Sequence, residues 1–297
     1  MKRVSIIIPT YKNRGGLTTS VDSALRQTYQ NIEVIIVDDN PPDSEERHYT
    51  EQIMEGYLAD PRVRYIKHAE NKNGAAARNT GINSSTGEYI AFLDDDDEFL
   101  ESKIERQVEY LKTHSRYSAV YCLSYVNGKK EIIHPYEGDA SIPLLMCRTK
   151  MFTPSLMFRR EALLSIRGFD ENFSRHQDYE LLLKFFANGY KIGCLQEYLT
   201  IVHSLGGNKP DARKSLDIKK RFLEAFDGVV SILERTYPGI RKKIMVANYE
   251  TIFESCISQR KWMLASQLFW KYFFMSPATF TRNFIHSNYI RFKRKLQ

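Results

Sequence analysis

The sequence has few cysteines and no long apolar run. Its four cysteines, Cys122, Cys147, Cys194 and Cys256, are widely scattered and form neither a CxxC pair nor a zinc-binding spacing. We therefore expect reduced, mostly buried thiols in a cytosolic protein. No stretch approaches the roughly 18 apolar residues of a membrane span, and the apolar run before Pro9 is too short for the core of a signal peptide.

Two common nucleotide-binding motifs are also missing. The first predicted strand, residues 4–10, is not followed by GxGxxG, which argues against a dinucleotide-binding Rossmann unit. The chain contains no GxxxxGK[ST] motif, which argues against a P-loop. Any nucleotide that this protein binds must therefore be held by a different arrangement.

The composition is that of a soluble globular protein, but the charge is unevenly placed. The 297 residues suffice for one large or two ordinary domains, with 42% hydrophobic and 27% charged residues. The formal net charge is +7, yet residues 241–297 alone hold eleven Lys and Arg against two Glu. The basic character thus belongs to the C-terminal part, which could meet nucleic acid, anionic lipid or an acidic partner.

The first hundred residues alternate between short apolar runs and segments with helical spacing. The runs that predict buried strands are residues 4–10, 32–39, 63–66 and 89–93. The segments that predict helices are residues 17–27, 44–58 and 74–83. Regular alternation of this kind is typical of an α/β fold with a doubly wound parallel sheet.

Two of these predicted strands end in aspartates. Asp38 and Asp39 close the second strand, and residues 94–97 are four consecutive aspartates after the fourth. Crossovers in parallel sheets are right-handed, so these strand ends lie along one edge and can share a cleft. Hard cations such as Mg²⁺ or Mn²⁺ take such oxygen ligands together with substrate phosphates. A solvated acidic turn is the alternative, and it explains one such loop more easily than two.

Four motifs in this order resemble a known family. The segments SIIIPTYKN, VIIVDDN, GAAARNTGI and GEYIAFLDDDD are similar to successive motifs of the family 2 glycosyltransferases, and the resemblance covers roughly residues 1–205. It implies the GT-A fold, an α/β fold with a mostly parallel, Rossmann-like sheet that binds nucleoside-diphosphate sugars. The resemblance is to the inverting enzymes of bacterial surface-polysaccharide synthesis.

The resemblance also implies a donor site. Asp39 is expected to accept the N3–H of a uracil base, in a pocket lined by residues of the first loop and the third helix. The expected nucleotide-binding residues are Pro9, Thr10, Tyr11, Asp39, Arg78 and Asp95. A divalent cation, Mn²⁺ or Mg²⁺, is expected on Asp96 with Asp94, and His203 could reach it from a glycine-bearing loop. A lone histidine with a structural role is the alternative for His203.

Asp178 is the candidate catalytic base. It lies in the first turn of a helix predicted over residues 175–186, where a carboxylate is stabilised by free amides and the helix dipole even without any chemistry. The resemblance favours catalysis, because the family commonly has Glu-Asp at this point with the aspartate as base. This chain departs from that pattern, because Gln177 precedes Asp178 and an amide replaces the second carboxylate.

The C-terminal part differs in character. We predict a GT-A domain over residues 1–208 and a helical region over residues 209–297, with helices at 216–237, 241–258 and 261–275. The tail, residues 280–297, interleaves aromatic and basic side chains, which suits an anionic membrane surface or nucleic acid. A solvated helix capping the domain is the alternative. No recognised nucleic-acid motif is present, so we expect no nucleic-acid partner.

These features together predict an enzyme. We expect an inverting glycosyltransferase that moves a sugar from a nucleoside-diphosphate sugar, first of all a UDP-sugar, to a glycan or lipid-linked acceptor. The alternative is a catalytically silent nucleotide-sugar-binding or scaffold subunit of a polysaccharide assembly. We expect a cytoplasmic protein, at the inner face of the cell membrane if its tail binds lipid. The sugar, the acceptor and the linkage are not specified by the sequence.

Overall fold

The structure is a computed structural model that describes residues 2–13, 15–131, 133–173, 176–203, 212–282 and 284–285. The chain divides into two compact units. The first comprises Met1–Glu131, Pro135–Ala140 and Met151–Ser204, and the second comprises Ile132–His134, Ser141–Lys150 and Leu205–Gln297. The predicted boundary at residue 208, the glycines after His203 and most of the basic tail, residues 286–297, lie outside the described residues.

One mixed sheet organises the first unit. Its strands are β1 Val4–Thr10, β2 Ile32–Asp38, β3 Val63–Lys67, β4 Tyr89–Phe92, β5 Glu98–Phe99, β6 Ala119–Val126, β7 Lys129–Lys130, β8 Leu156–Arg159 and β9 Ile192–Val202. The order is β3-β2-β1-β4-β8-β6-β9-β5, with β7 on β6. The first four strands are parallel, and β8 runs antiparallel to both β4 and β6. The predicted α/β fold is confirmed, and most of the paired residues in the sheet belong to parallel strand pairs.

The parallel strands are buried because their runs are apolar on both faces. β1 and β2 consist mostly of Val and Ile, and nearly all of their residues are buried. Helices cover the two faces, which leaves the carboxyl ends of the strands as the open edge. Gly81 in the third helix packs so closely on β1 that a Cβ there would lie 2.4 Å from Ile7 Cγ2. The small residues of that helix therefore permit a close helix–sheet contact.

The predicted helices are present, with differences at their ends, and the short helix Ser141–Leu145 is an addition that the sequence did not predict. They are α1 Leu17–Leu25, α2 Glu45–Glu55, α3 Gly74–Ser84, α4 Lys103–Thr113, α5 Ser141–Leu145, α6 Arg160–Ser165, α7 Gln177–Ala187, α8 Ala212–Ala225, α9 Asp227–Thr236, α10 Ile240–Ser258 and α11 Trp262–Met275. The helix predicted over 216–237 is divided at Phe226 into α8 and α9.

Two strand predictions in the second half of the sheet are wrong in detail. From the sequence, residues 127–130 predict a turn and residues 131–134 the returning strand of a hairpin. In the structure the returning strand is β7, Lys129–Lys130, because Asn127 and Gly128 both have positive φ and make a two-residue turn. Residues 191–195 and 198–202 predict two separate last strands. They form one strand, β9, which shifts register opposite Cys122 and Leu123. Period-2 patterning shows no break at such an irregularity, so the sequence alone did not locate it.

The second unit is helical and has its own core. α8, α10 and α11 supply a cluster of buried side chains that includes Val246, Ile252 and Leu268. Tyr249 of α10 and Tyr272 of α11 stack with ring centroids 4.1 Å apart. The predicted helical extension is thus confirmed. None of the described helices combines the length and the apolar character needed to cross a membrane.

Candidate active site

The loops that follow β1 and β4 meet at the open edge of the sheet. Thr10 at the end of β1 donates its hydroxyl to the Asp95 carboxylate over 2.6 Å, and the Asn13 amide donates to the Asp95 carbonyl over 2.9 Å. A Cβ on Gly16 would lie 2.6 Å from that same carbonyl, so only glycine fits there. The expectation that the first loop and the acidic loop form one site is consistent with these contacts.

Asp38 is buried and held by donors from three directions. Its carboxylate accepts the backbone N–H of Asn40 at 2.9 Å, lies 3.0 Å from Arg47 Nε and receives the Tyr65 hydroxyl. Burial and this hydroxyl bond raise the pKa of Tyr65, so Tyr65 remains a donor. Asp38 therefore fixes β2, α2 and β3 to one another. It is not open to a ligand.

Asp39 is also saturated by donors within the chain. The backbone N–H groups of Lys72 and Asn73 and the Asn71 side-chain amide each lie 2.8 Å from its carboxylate oxygens. The His68 ring nitrogen Nδ1 lies 2.7 Å away. Asp39 thus holds the loop before α3. To accept a uracil N3–H, one of these four donors would have to give way.

The acidic loop after β4 has far fewer donors. Asp94 accepts from Arg78 at 2.6 Å. Burial raises the pKa of Asp95, and burial together with the neighbouring Asp94 raises the pKa of Asp96. The pKa of Asp97 rises to about 8, chiefly through burial and then through Asp94. Crowded carboxylates with raised pKa values are the environment that an added cation would stabilise.

Arg78 joins the acidic loop to the start of α7. Its guanidinium donates to Asp94 and, over 3.0 Å, to the side-chain oxygen of Gln177. Gln177 in turn donates to the Phe173 carbonyl at 2.8 Å. The residue that stands where the family often has glutamate is therefore a neutral acceptor for Arg78. Of the two side chains to which the Arg78 guanidinium donates here, only Asp94 is a carboxylate.

A cavity of ≈ 300 Å³ opens beside Arg78. It is lined by Arg78, Asp94, Asp97, Gln177, Asp178 and, on another side, residues 152–154. Asp178, in the first turn of α7, has a pKa raised to about 6, mainly by burial; Asp94 also raises it, while backbone amides and Arg78 lower it. A carboxylate tuned toward neutral pH in a cleft is suited to take up a proton.

The donor set for a metal ion is small. Within the described residues, no three His, Cys, Asp or Glu side chains gather as a metal site. Asp96 is partly exposed, and among the described residues no other side chain donates a hydrogen bond to it. Magnesium-type sites often use one or two carboxylates and complete the shell with substrate phosphates and water, so Asp96 with Asp94 fits such a cation.

The contacts of His203 and of the first loop do not by themselves assign these residues to a ligand site. The His203 backbone N–H donates to Asp97 at 2.8 Å, and its ring nitrogen Nε2 lies 2.9 Å from Glu98. The imidazole would have to leave Glu98 to reach a metal. Pro9 pairs in register with Val37, and Tyr11 is 43% exposed beside the Lys12 ammonium. A ligand could therefore reach Tyr11 without any rearrangement.

The loop of residues 71–73, which Asp39 holds, was not predicted from the sequence. Asn73 adopts φ 96° and accepts the N–H groups of Ala75 and Ala76, which caps α3. Its own side-chain amide donates to the Glu171 carbonyl at 3.0 Å. An asparagine directly before a helical segment is a capping signal that could have been recognised. The second contact of Asn73, with the carbonyl of Glu171, could not have been recognised, because the two residues are 98 positions apart.

Comparison with known proteins agrees with this architecture. The sequence model described as "Glycosyl transferase family 2" matches residues 5–188, more than half of the chain. An uncharacterized glycosyltransferase of Haemophilus influenzae is 30% identical over 238 residues, 75% of this chain and 78% of that protein. The amylovoran biosynthesis glycosyltransferase AmsB of Erwinia amylovora is 28% identical over 217 residues, 67% of this chain and 69% of AmsB.

Solved structures show the same fold at low sequence identity. Residues 1–349 of S. aureus TarS in complex with UDP-GlcNAc give a TM-score of 0.58 at 16% identity, covering 86% of this chain and 81% of that one. The mannosyltransferase PcManGT from Pyrobaculum calidifontis, in complex with GDP-Man and Mn²⁺, gives 0.60 at 15% identity, covering 95% and 87%. At such identities the likeness concerns the fold.

Proposed function

The chain belongs to glycosyltransferase family 2, and from this premise we propose that it transfers a sugar, with inversion, from a nucleoside-diphosphate sugar to a glycan or lipid-linked acceptor. The observation that carries the proposal is the cavity in which Asp178, Arg78 and Asp94 face one space. In this cavity the Asp178 carboxylate, which can accept a proton, and the Arg78 guanidinium both lie beside the acidic loop.

Asp178 is proposed as the general base. The acceptor hydroxyl oxygen forms a bond to the anomeric carbon, the bond from that carbon to the diphosphate oxygen breaks, and the diphosphate departs with the electron pair. The hydroxyl proton passes to the Asp178 carboxylate. A pKa of about 6 leaves this carboxylate ionised at neutral pH while keeping it basic enough to take the proton.

The donor is proposed to lie along the edge between β1 and the acidic loop. Thr10, Tyr11 and Asp95 form its near wall next to Pro9, and Asp39 contributes by holding the loop of residues 71–73. A divalent cation on Asp96 and Asp94 would neutralise the charge that develops on the departing diphosphate. Arg78 carries a further positive charge in the same cavity.

The donor base and the biological role are proposed from the relatives. TarS binds UDP-GlcNAc and PcManGT binds GDP-Man with Mn²⁺, so a uridine nucleotide is the first candidate and a guanosine nucleotide the second. The name of AmsB refers to amylovoran biosynthesis, which supports a role in polysaccharide synthesis. We propose a cytoplasmic location, at the inner face of the cell membrane, where lipid-linked acceptors would be within reach.

The test begins with calorimetric titration of UDP, with and without Mn²⁺, followed by a screen of UDP-sugars for release of UDP. Asp178→Asn should lower transfer by about 10²–10⁴-fold, the usual contribution of a general base, and leave UDP affinity close to wild type. Asp43→Asn, an exposed carboxylate in the turn after β2, is the matched control and should change neither.

Two outcomes would contradict the proposal. If Asp178→Asn unfolds the protein or abolishes UDP binding, Asp178 is a structural residue of α7. If the protein binds UDP tightly and turns over no donor with any acceptor, it is a silent nucleotide-sugar-binding subunit. Binding of GDP and not of UDP would retain the mechanism and change the donor.

A further inference from the structure

The outer face of α11 in the second unit is apolar and exposed. Met263, Trp270 and Phe274 recur at intervals of seven and four residues, which places them on one side of the helix. Their exposed fractions are 73%, 55% and 67%, and Trp262 beside them is 63% exposed. Trp262 and Trp270 are the two tryptophans of the entire chain.

The opposite side of α11 packs against the core of the second unit. Ala265, Leu268 and Tyr272 are buried in the core of the second unit. The helix therefore carries apolar side chains on both sides, a pattern typical of helices that are covered all round. Single exposed apolar residues are normal on protein surfaces, whereas a contiguous row of large ones marks an interaction site.

The charge around this face indicates what covers it. The described residues from 255 to 285 contain no Asp or Glu and four Lys or Arg. On α11 itself, Lys271 is exposed next to Trp270, and Arg282 is exposed in the following segment. A second copy of the chain would bring the same positive charge to the contact, which disfavours self-association. The face is complementary to a negatively charged surface.

We propose that this face docks on an anionic lipid bilayer. Trp262, Trp270, Phe274 and Met263 enter the interfacial layer, where tryptophan is favoured, and Lys271 contacts headgroup phosphates. The proposal concerns a described helix and not the tail of residues 286–297. It is also independent of the proposed reaction, because membrane docking can be measured without any donor.

The chain supplies its own reporter for the test. Because Trp270 lies on this face and Trp262 is exposed at the start of the same helix, the fluorescence of the full-length protein should shift to the blue when vesicles of phosphatidylcholine and phosphatidylglycerol in equal parts are added. Phosphatidylcholine vesicles alone should give a much smaller shift, and added salt should reverse the shift. The fraction of protein that co-sediments with the vesicles measures the same equilibrium.

Variants locate the contact. Met263→Ser with Phe274→Ser keeps both tryptophans and should weaken vesicle binding about tenfold, because two apolar side chains no longer enter the interface. Lys271→Gln should weaken it about fivefold. Ile232→Ser is the control, because Ile232 in α9 is 62% exposed and lies off this face. Thermal melting should be unchanged in all three, since the side chains are exposed.

Some results would overturn the proposal. Wild-type protein that shows no blue shift and no co-sedimentation with the anionic vesicles does not dock through this face. Binding that is unaffected by Met263→Ser/Phe274→Ser places the contact elsewhere. If light scattering shows a dimer that this double variant dissociates, the face is an interface between copies. None of these results bears on the activity expected of Asp178.

Discussion

Two groups of aspartates lie at the carboxyl ends of β2 and β4, on either side of β1 in one sheet, and their carboxylates differ in how many donors they receive. Asp38 and Asp39, at the end of β2, are buried and receive donors on every side, from Arg47 and Tyr65 to the backbone N–H groups of residues 72 and 73. Residues 94–97, after β4, have few donors, and the pKa values of Asp95, Asp96 and Asp97 are raised. The difference separates carboxylates that hold the fold from carboxylates that are available for chemistry.

The two groups of aspartates differ because different numbers of guanidinium and N–H donors lie near them. The segment after β2 passes α2 and the asparagine-rich loop, which together provide a guanidinium and free amides. The segment after β4 has Arg78, which is shared with Gln177. A carboxylate group left short of donors gains most from a cation or a proton, so a ligand site arises where the chain itself does not complete the hydrogen bonds.

The largest expected contrast is in stability. Asp38→Ala leaves the buried Arg47 without its carboxylate, and breaking a buried pair of this kind costs about 3–5 kcal/mol. Asp96→Ala removes a partly exposed charge from a repelling group and should change the free energy of unfolding by less than about 0.5 kcal/mol. Urea unfolding followed by circular dichroism measures both.

The functional effects of these two variants should be reversed. In Asp96→Ala, UDP binding should lose its dependence on Mn²⁺ while the protein remains folded. At a temperature where Asp38→Ala is still folded, its UDP affinity should keep that dependence. Unchanged Mn²⁺ dependence in Asp96→Ala would remove Asp96 from the metal site. A stable Asp38→Ala would show that the buried contacts of the Asp38 carboxylate contribute little to stability.

The next contrast concerns Asp39, for which two roles predict different results. If Asp39 holds the loop before α3, Asp39→Asn should weaken UDP and CDP binding equally and lower stability by about 1–3 kcal/mol, the cost of unsatisfied buried partners. If Asp39 reads uracil directly, the amide introduced by Asp39→Asn could donate to the N3 of cytosine, and the preference should shift toward CDP. We expect the first result.

Calorimetry with both nucleotides decides between the two roles. Asp43→Asn lies in the same connection, is exposed, and should leave affinity and stability unchanged. A shift in preference from UDP to CDP without loss of stability would establish that Asp39 contacts the base. In that case a donor such as the Asn71 amide must move aside when the nucleotide binds.

The comparison also shows what sequence patterns can and cannot supply. The β-branched runs of β1 and β2 and the small residues of α3 predicted a parallel sheet with aspartates at one edge, because those signals are local. Which aspartates are satisfied depends on partners such as Tyr65, which lies 27 positions from Asp38. Likewise, the spacing of α11 predicted a helix, but with apolar residues all round it could not show which side would stay exposed.

The smallest effect that we predict concerns Gln177, which separates the acidic loop from Asp178. The pKa of about 6 for Asp178 means that the base is lost as the pH falls, so kcat/KM should decline below about pH 6 in the wild type. Gln177→Glu adds a fourth carboxylate to the cavity that holds Asp94, Asp97 and Asp178, and it draws on the charge of Arg78. The pKa of Asp178 should rise, and the acid limb should move upward by about 0.5–1 pH unit.

Gln177→Ala is the matched control, because it removes the contact with Arg78 without adding charge, and its acid limb should stay within a few tenths of a unit of wild type. If Gln177→Glu leaves the limb in place, the proton-accepting group is not coupled to this cluster. A limb that moves in both variants would instead indicate that the position of Arg78 controls it. If the limb moves only in Gln177→Glu, the neutral amide at position 177 helps to keep Asp178 ionised at neutral pH, despite the other carboxylates that line the cavity.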